Sequence, residues 1–319
     1  MGGLMAKLRP KDAITRHIQL RGQYTRIARG AVAQLQQLKE QVAAELQDGL
    51  KRSSMLTIFQ SRAKLRKIER AISDQYSAME VDLVDELTEL YKSQVDWNSE
   101  ALEVDIGGAQ TSEDFIRSFI ESDPFDGKLL KEWIGEQSLA TTNAVKRAVR
   151  LGVVNGLPVS KIVDAVVSDP VNPFNASRRN IEILVRTASA HVTANADMIG
   201  FQEAGVEQYQ LSSVLDTRTT LICASLNGKK FKVSDPKRKV PPFHPGCRTT
   251  MIAVFDPDDE PVPDTFDDFL KGLDEDDQMK ILGPTRFRMW KKGMPLDGFV
   301  DQDSHHVIPL SEMKGMSLS

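Results

Sequence analysis

Apolar residues recur every three or four positions along most of the N-terminal part of the chain, which is the period of a helix with one buried face. Residues 12–50 contain few helix breakers and keep this step most clearly between Leu35 and Leu46. A second run is more regular, because its apolar positions advance by three or four residues from Leu65 to Leu90 without interruption. The pattern predicts two long helices, and the continuous seam of the second needs a partner. The simplest partner is the first helix, folded back as an antiparallel hairpin; a coiled-coil contact with another subunit is the alternative.

Polar stretches and glycines divide the next part of the chain. Residues 94–110 are polar and end in two glycines, so they predict a hinge and a domain boundary near residue 105. Further helices are expected after a capping sequence at 111–114, over 128–151 with a stop at Gly152, over about 159–167, and over 177–204 with a stop at Gly205.

Beyond Gly205 the pattern changes from helical periodicity to alternation. It predicts three short strands, at 206–213, 230–233 and 249–255, joined by loops rich in turn residues. Residues 256–277 carry 11 acidic residues and one basic residue, which is typical of a solvated linker. A short helix around Trp290 and a docked tail are expected to follow.

The predicted fold class is therefore α+β and predominantly α. Four segments are expected: a long helical hairpin at 1–105, a helical region at 106–205, a small β-containing module with Cys/His loops at 206–255, and an acidic linker with a C-terminal tail at 256–319.

Composition changes this picture little. With 40% hydrophobic and 27% charged residues, the 319-residue chain resembles an average soluble protein of two or three folding units. Two cysteines are too few for a disulfide framework, and the first residues lack the apolar core of a signal peptide, so a cytoplasm-like compartment is expected. No run of about 18 apolar residues occurs, and no membrane partner is expected.

The distribution of charge is more informative than the net charge of −4. Residues 1–72 contain 15 Lys and Arg against 5 Asp and Glu, so the acidic surplus lies in the rest of the chain. Such a basic segment is suited to the phosphates of packaged double-stranded DNA or to an acidic protein surface. The alternative is that its charges pair with the acidic stretch at 74–103.

Both cysteines and one histidine fall in two turn-rich segments, as Cys223, His244 and Cys247. The His-x-x-Cys spacing can present two ligands to a tetrahedral metal, and zinc is the candidate ion. A fourth ligand is missing, because Thr220 stands where a Cys-x-x-Cys pair would place its first thiol. We therefore favour a structural role, in which the thiols are small buried groups and the imidazole donates a hydrogen bond to a loop carbonyl. Two further ligand candidates have unsuitable spacing, Asp216 and His191.

Catalytic signatures are weak. His244 and Cys247 lie in one turn, whereas a base and its nucleophile usually come from separate elements. The sequence contains no P-loop, no Gly-x-Gly-x-x-Gly and no His-Glu-x-x-His. We expect no catalytic residue and no enzyme activity.

One ordered series of motifs resembles the phage head-morphogenesis, or minor capsid, family related to protein F of phage Mu. The similarity covers about residues 150–255, and 281–300 is similar to a segment that often follows in these proteins. Many members have Cys-x-x-Cys at the first corner and Arg-Thr-Glu in the preceding helix, where this chain has Thr220 and Ala188. The motifs are Leu184-Val-Arg-Thr187 with Asn195, Asp216-x-Arg-Thr219, Cys223-x-x-Leu-Asn-Gly228, Phe231 and Pro241-Pro-Phe-His-Pro-Gly-Cys-Arg248.

The resemblance implies a low-copy structural protein of a tailed-phage virion, assembled in the host cytoplasm. Its expected partners are the portal or the major capsid protein, with packaged DNA contacted through residues 1–72. Cys223, His244, Cys247 and Arg248 would then fix the loop geometry of the C-terminal module. The alternatives are a zinc-dependent DNA-binding or nuclease module and an ADP-ribosyltransferase-like enzyme, although the Glu-x-Glu or Gln-x-Glu pattern of the latter does not occur.

Overall fold

The computed structural model describes residues 10–256, 266–301 and 307–313. The expected fold class is confirmed, because these residues are mostly helical and contain one small antiparallel sheet. The helices are α1 (Pro10–Gln47), α2 (Ile58–Leu102), α3 (Glu113–Ser122), α4 (Leu130–Val154), α5 (Val159–Val163), α6 (Pro173–Glu203), α7 (Leu221–Leu226), α8 (Phe266–Lys271), α9 (Glu275–Lys291) and α10 (Leu310–Met313). The strands are β1 (Gln208–Ser213), β2 (Lys230–Lys232) and β3 (Thr249–Val254).

The chain divides into two compact units that are each assembled from separate stretches of sequence. The sheet unit comprises the described residues within Met1–Gln19, Ser93–Gly107 and Thr193–Ser319; the hairpin unit comprises Leu20–Lys92 and Gly108–Val192. Three long helices, α1, α2 and α6, contribute residues to both units. The division at residues 105, 205 and 255 stays a prediction. Among the described residues, no helix combines the length and apolar character needed to cross a membrane.

The hairpin unit confirms the predicted pairing of α1 with α2. The Arg26 guanidinium donates two hydrogen bonds to the Glu86 carboxylate, at 2.9 and 2.7 Å. Further along, the Lys64 ammonium donates to the backbone carbonyl of Glu45 at 2.6 Å. Because residue numbers rise along α1 while their partners' numbers fall along α2, the two helices are antiparallel.

The apolar seam of α2 is buried as predicted, and more than one helix covers it. The hydroxyl of Tyr76 lies 2.8 Å from that of Thr141 in α4, which lies 2.6 Å from that of Ser177 in α6. These three hydroxyls satisfy one another inside an otherwise apolar core. The buried seam positions are Leu65, Ile68, Ile72, Tyr76, Met79, Leu83, Leu87 and Leu90.

The predicted helix stop at Gly152 is wrong, because α4 continues to Val154. Gly152 is buried where α4 meets α5, and a Cβ added there would lie 2.6 Å from Cγ1 of Ile162. The glycine therefore permits close approach of two helices rather than ending one. The chain leaves the helical conformation four residues later, at Gly156, with φ of +62°.

The predicted hinge at 94–110 is wrong over its first half, where α2 continues as regular helix. Two of the polar side chains that suggested a hinge, Gln94 and Asn98, are buried and take part in one hydrogen-bonded cluster. Gln94 Nε2 and Asn98 Nδ2 donate to Asp197 Oδ1, at 2.5 and 3.1 Å, and Arg16 Nε donates to Gln94 Oε1 at 2.9 Å. This polar cluster belongs to the sheet unit, and its members come from three distant parts of the sequence.

The sheet has the order β2-β1-β3, with both pairs antiparallel. Tyr209 in the central strand pairs with Phe231 in β2 and Ala253 in β3. All three strand predictions are confirmed. The core beside the sheet includes Leu102, Met198, Phe201, Tyr209, Leu211, Leu226 and Met251.

The acidic segment is only partly tested. Residues 257–265 lie outside the described residues, but the linker prediction is wrong over 266–277, which includes α8 and the start of α9. Phe266 and Leu270 are buried on one side of α8. The indole N–H of Trp290 donates to Asp267 Oδ1 at 2.7 Å, so some of the acidic residues take part in packing.

Candidate functional site

The first loop of the candidate site is organised by a short helix that periodicity did not predict. Thr220 is the N-cap of α7, and its hydroxyl oxygen accepts a hydrogen bond from the backbone N–H of Cys223 at 3.3 Å. Capping satisfies a donor that the first helical turn leaves unpaired. The residue that sequence analysis considered only as a poor ligand thus positions the first thiol.

The second loop approaches β3 through a tight turn. The backbone N–H of Cys247 donates to the carbonyl of His244 at 3.0 Å, and Gly246 between them has φ of +72°. That conformation favours glycine. Because β1 and β3 are neighbours in the sheet, the loop that follows β1 and the loop that precedes β3 meet at the same end.

The structure brings the three predicted side chains together. Cys223 Sγ lies 3.0 Å from His244 Nε2 and 3.6 Å from Cys247 Sγ, and all three donor atoms lie within 4.8 Å of one another. Both cysteines are free thiols, and both are buried. Among the residues that the structure describes, this is the one group of His, Cys, Asp and Glu side chains with the spacing of a metal site.

The orientation of the imidazole defines its tautomer. His244 Nδ1 lies 2.9 Å from the carbonyl oxygen of Pro245, and a carbonyl can only accept, so Nδ1 carries the proton. In the neutral ring, Nε2 is then the acceptor, and it faces Cys223 and the hydroxyl of Thr220, 2.9 Å away. The expected hydrogen bond from His244 to a loop carbonyl is confirmed.

The two thiols differ in their electrostatic environment. A hydrogen bond from Cys247, with smaller contributions from Thr249 and Thr220, lowers the pKa of Cys223 to about 7 although burial opposes the shift. The same bond, together with burial, raises the pKa of Cys247. Near neutral pH the pair can therefore hold one negative charge on Cys223 while Cys247 keeps its proton.

A salt bridge holds the two loops together beside this cluster. The Arg248 guanidinium donates two hydrogen bonds to the Asp216 carboxylate, both at 2.5 Å. These bonds, with a further one from the backbone N–H of Arg218, hold the pKa of Asp216 well below its usual range. Both oxygens of this carboxylate are engaged, so Asp216 is poorly placed to serve as a fourth ligand. Its position supports the predicted role of Arg248 in fixing loop geometry.

The remaining ligand candidate does not join the cluster. His191 belongs to the hairpin unit, where its Nε2 lies 2.9 Å from Asp123 Oδ2 and its ring stacks on Phe119 at 5.3 Å between centroids. Burial lowers the pKa of His191, against the opposing effect of Asp123.

Two hydroxyls beneath the cluster were missed by sequence analysis. Ser213 Oγ donates to the carbonyl of Cys223 at 2.9 Å and lies 2.8 Å from Thr249 Oγ1. They occupy the facing ends of β1 and β3, where the register pairs them. Only the pairing of the strands reveals their role, because serine and threonine at strand ends are common.

The donor set fits three corners of a tetrahedral zinc site. Zn–S bonds of about 2.3 Å and Zn–N bonds of about 2.0–2.1 Å place neighbouring ligand atoms roughly 3.5–3.8 Å apart. The distance between the two Sγ atoms, 3.6 Å, matches, and that from Cys223 Sγ to His244 Nε2, 3.0 Å, needs a small opening. The hydrogen bond from Nδ1 to a carbonyl is also the arrangement usual for a metal-binding histidine. Thr220, whose hydroxyl lies 2.9 Å from His244 Nε2, replaces the thiol that would supply a fourth protein ligand.

Comparison with known proteins agrees with the motifs. Residues 143–252, which include the second half of α4, all of α6, most of the sheet and both loops of the site, match the sequence profile of the family described as Phage Mu protein F like protein. No significant similarity was found to a curated protein or to a solved structure. The family points to a head-morphogenesis or capsid-related role in a bacteriophage. Over residues 143–252 the chain is thus similar to the Phage Mu protein F like family, and the resemblance that its motifs predicted is confirmed.

Proposed function

We propose that this protein is a minor structural component of a tailed-bacteriophage head, which assembles with the portal or the major capsid protein and enters the virion. The match over residues 143–252 carries this proposal. The local chemistry supports it, because the polar groups of the matched region bind one another and hold two loops on the sheet. Asp216 forms a salt bridge with Arg248, and the thiol of Cys223 is hydrogen-bonded to Cys247 and His244.

The protein content of purified particles tests this proposal. We expect the chain in both DNA-free and filled heads of the phage that encodes it, at a few copies per particle, and we expect its deletion to yield aberrant or inactive heads. Absence from both kinds of particle, together with normal plaque formation by the deletion phage, would refute the structural role.

We also propose contact with packaged DNA, through those cations of residues 1–72 that are exposed and not engaged inside the protein. Several are already used inside the protein: Arg16 is buried, Arg26 binds Glu86, and Lys67 lies 3.2 Å from Glu45. Among the described residues, Lys11 and Arg29 are exposed elsewhere on α1, and five further exposed cations lie on both sides of the turn between α1 and α2: Lys51, Arg52, Arg62, Arg66 and Arg70.

The test for DNA contact uses point changes in the full chain. Deletion of residues 1–72 would remove the buried apolar residues of α1, such as Leu38 and Leu46, and would unfold the hairpin. We expect duplex affinity to fall with salt, and the slope of log affinity against log salt to decrease by about one for each contacting arginine removed. A slope that is unchanged in Arg62→Gln and Arg66→Gln would exclude this surface.

Zinc binding by Cys223, His244 and Cys247 is the second candidate function, and the spacing of the three donor atoms favours it. The ion would tie the loop after β1 to the loop before β3. We expect the purified full-length protein to contain about one zinc per chain, and Cys247→Ser to lose it. If the wild type contains no zinc and a chelator leaves its melting temperature unchanged, the cluster is a hydrogen-bonded clasp without metal.

A further inference from the structure

Exposed apolar side chains are concentrated at one end of the hairpin unit. Among the described residues, 15 large apolar side chains are exposed, and six of them fall within two short segments, 55–59 and 151–157. Phe59 and Val154 are 79% and 82% exposed. A concentration of exposed large apolar side chains usually marks a site of interaction. The six residues, called the apolar tip below, are Met55, Ile58, Phe59, Leu151, Val154 and Leu157.

Backbone hydrogen bonds between residues next to the two segments of the apolar tip hold the segments together. The backbone N–H of Val159 donates to the carbonyl of Ser54 at 2.8 Å, and that of Ser160 donates to the carbonyl of Arg52 at 3.2 Å. Met55 and Pro158 form an antiparallel bridge between these bonds. Val159 is itself buried. The backbone that carries the exposed side chains is therefore held in place. Binding at this surface costs less conformational entropy than binding to a mobile loop would.

Four exposed cations flank the apolar tip in sequence: Lys51, Arg52, Arg62 and Arg66. In the described part of the chain, none of the four takes part in an ion pair. The nearby carboxylate of Glu69 is already paired with Lys146 at 2.6 Å. Asp48 is the acidic residue left exposed beside the four cations, so this end of the unit keeps a positive charge.

We propose that the apolar tip docks an acidic segment of a partner protein that presents apolar side chains between its carboxylates. Three of the four cations are arginines, whose planar guanidinium groups bind carboxylates with two hydrogen bonds. Packaged DNA, the other anion proposed for these cations, would satisfy their charge but would leave Phe59 and Val154 without apolar contact, so the two occupants compete for one surface. A second copy joined tip to tip would bring like charges together.

This inference rests on the proposed function, since in a phage head the anionic surfaces are protein and DNA rather than lipid. It adds the chemistry of the partner and the residues that contact it. The partner's surface is expected to be acidic and apolar at once, and the same surface should bind one defined end of the hairpin unit.

Site-specific photo-crosslinking tests the proposal. A benzophenone amino acid replaces Phe59 in the full chain, which is expressed during head assembly, and crosslinked peptides from purified heads are identified by mass spectrometry. We expect crosslinks to one head protein, within a segment that contains both carboxylates and apolar residues. Arg62→Glu with Arg66→Glu should lower the crosslink yield by about tenfold.

Two matched positions serve as controls. The same crosslinker at Val81, also exposed on α2, lies about 33 Å along the helix from Phe59 and should give no such product. Arg29→Glu, an exposed cation on α1 far from the turn, should leave the yield unchanged. Thermal unfolding of each variant at the wild-type temperature establishes that the exposed substitutions preserve the fold.

The outcomes separate the two proposals. If the protein is present in heads but Phe59 crosslinks to a second copy, to DNA, to lipid or to nothing, the docking proposal is overturned while the structural role stands. If the protein is absent from heads, both proposals fail. A crosslink to an acidic and apolar segment that persists in the Arg62 and Arg66 variant would refute the role of the cations.

Discussion

Replacement of Asp197 by asparagine gives the sharpest test of the buried polar cluster in the sheet unit. The Asp197 side chain is buried, and its Oδ1 accepts hydrogen bonds from Gln94 and Asn98. Burial raises its pKa to about 6, and the two hydrogen bonds and the charge of Arg16 only partly offset this effect. The carboxyl group therefore holds its proton more tightly in the folded protein than in the unfolded chain.

The size and sign of the effect follow from this pKa difference. The unfolded carboxyl loses its proton near pH 3.8 and the folded one near pH 6. Between these values the native state keeps a proton that the unfolded state has lost, so the free energy of unfolding falls as pH rises. The bound proton of Asp197 contributes fully to the free energy of unfolding below about pH 4, and this contribution is lost above about pH 6. It amounts to about 3 kcal/mol in all, of which about 2 kcal/mol is lost between pH 4.5 and 7.

Urea denaturation of the wild type and of Asp197→Asn across pH 4.5–7 measures this contribution. Asparagine cannot ionise, so the difference in unfolding free energy should shift in favour of the variant by about 2 kcal/mol as pH rises. The altered hydrogen bonding of the amide adds an offset that does not vary with pH, so it does not affect the pH dependence. A difference that stays constant over this range would show that the carboxylate is ionised throughout, and would refute the reasoning.

Three further substitutions, the first with a matched control, test the packing, and urea denaturation measures the free energy of unfolding of each variant. Gly152→Ala should lower the free energy of unfolding by about 1–3 kcal/mol, because the new methyl group would overlap Ile162. The control is Gly135→Ala in the same helix, where an added Cβ would meet nothing within 4 Å; it should raise the free energy of unfolding by about 0.5–1 kcal/mol. Equal effects of the two substitutions would contradict the close approach of Gly152 to Ile162. Tyr76→Phe should lower it by about 1 kcal/mol by removing one hydroxyl from the buried chain of three, and no loss would mean that the chain does not stabilise the core. Arg248→Lys should lower it by about 1–2 kcal/mol, since an ammonium cannot reproduce both bonds of the guanidinium; a neutral result would show that one bond suffices.

Helix positions could be predicted from the sequence because a long helix repeats its buried face many times. The seam from Leu65 to Leu90 contains eight such positions, and all are buried in the structure. Helix ends were less predictable, because one residue type serves different purposes. Gly205 ends α6 with φ of +65°, whereas Gly152 lies inside α4 and makes room for Ile162.

Buried polar residues defeated prediction for a different reason. Gln94 and Asn98 resemble the polar residues of a linker, and their burial depends on Arg16 and Asp197, which are far away in sequence. No local pattern records such a partnership. The same holds for the acidic residues of 266–277, where the buried face of α8 lies between carboxylates.

The residue types of the candidate site made it visible in the sequence, whereas the residues that hydrogen-bond to it did not stand out. Cysteine and histidine are rare in this chain, so their proximity in two loops was visible in the sequence. The helix α7 has six residues, too few for a periodic signal, and a capping threonine such as Thr220 is common in proteins. The hydroxyls of Ser213 and Thr249 needed the strand register.

Neither the charge distribution nor the family resemblance alone identifies the apolar tip as a docking surface; the structure is needed to bring the two lines of evidence together. The basic surplus of residues 1–72 indicated an anionic partner, but internal ion pairs such as Arg26 with Glu86 remove part of it from consideration. What remains lies beside exposed apolar residues that a phosphate backbone cannot use. The apolar tip takes Phe59 from outside the matched region and Val154 from within it. A partner that binds there therefore contacts residues both outside and inside the matched range. Substitution of Phe59 alone or of Val154 alone should weaken docking.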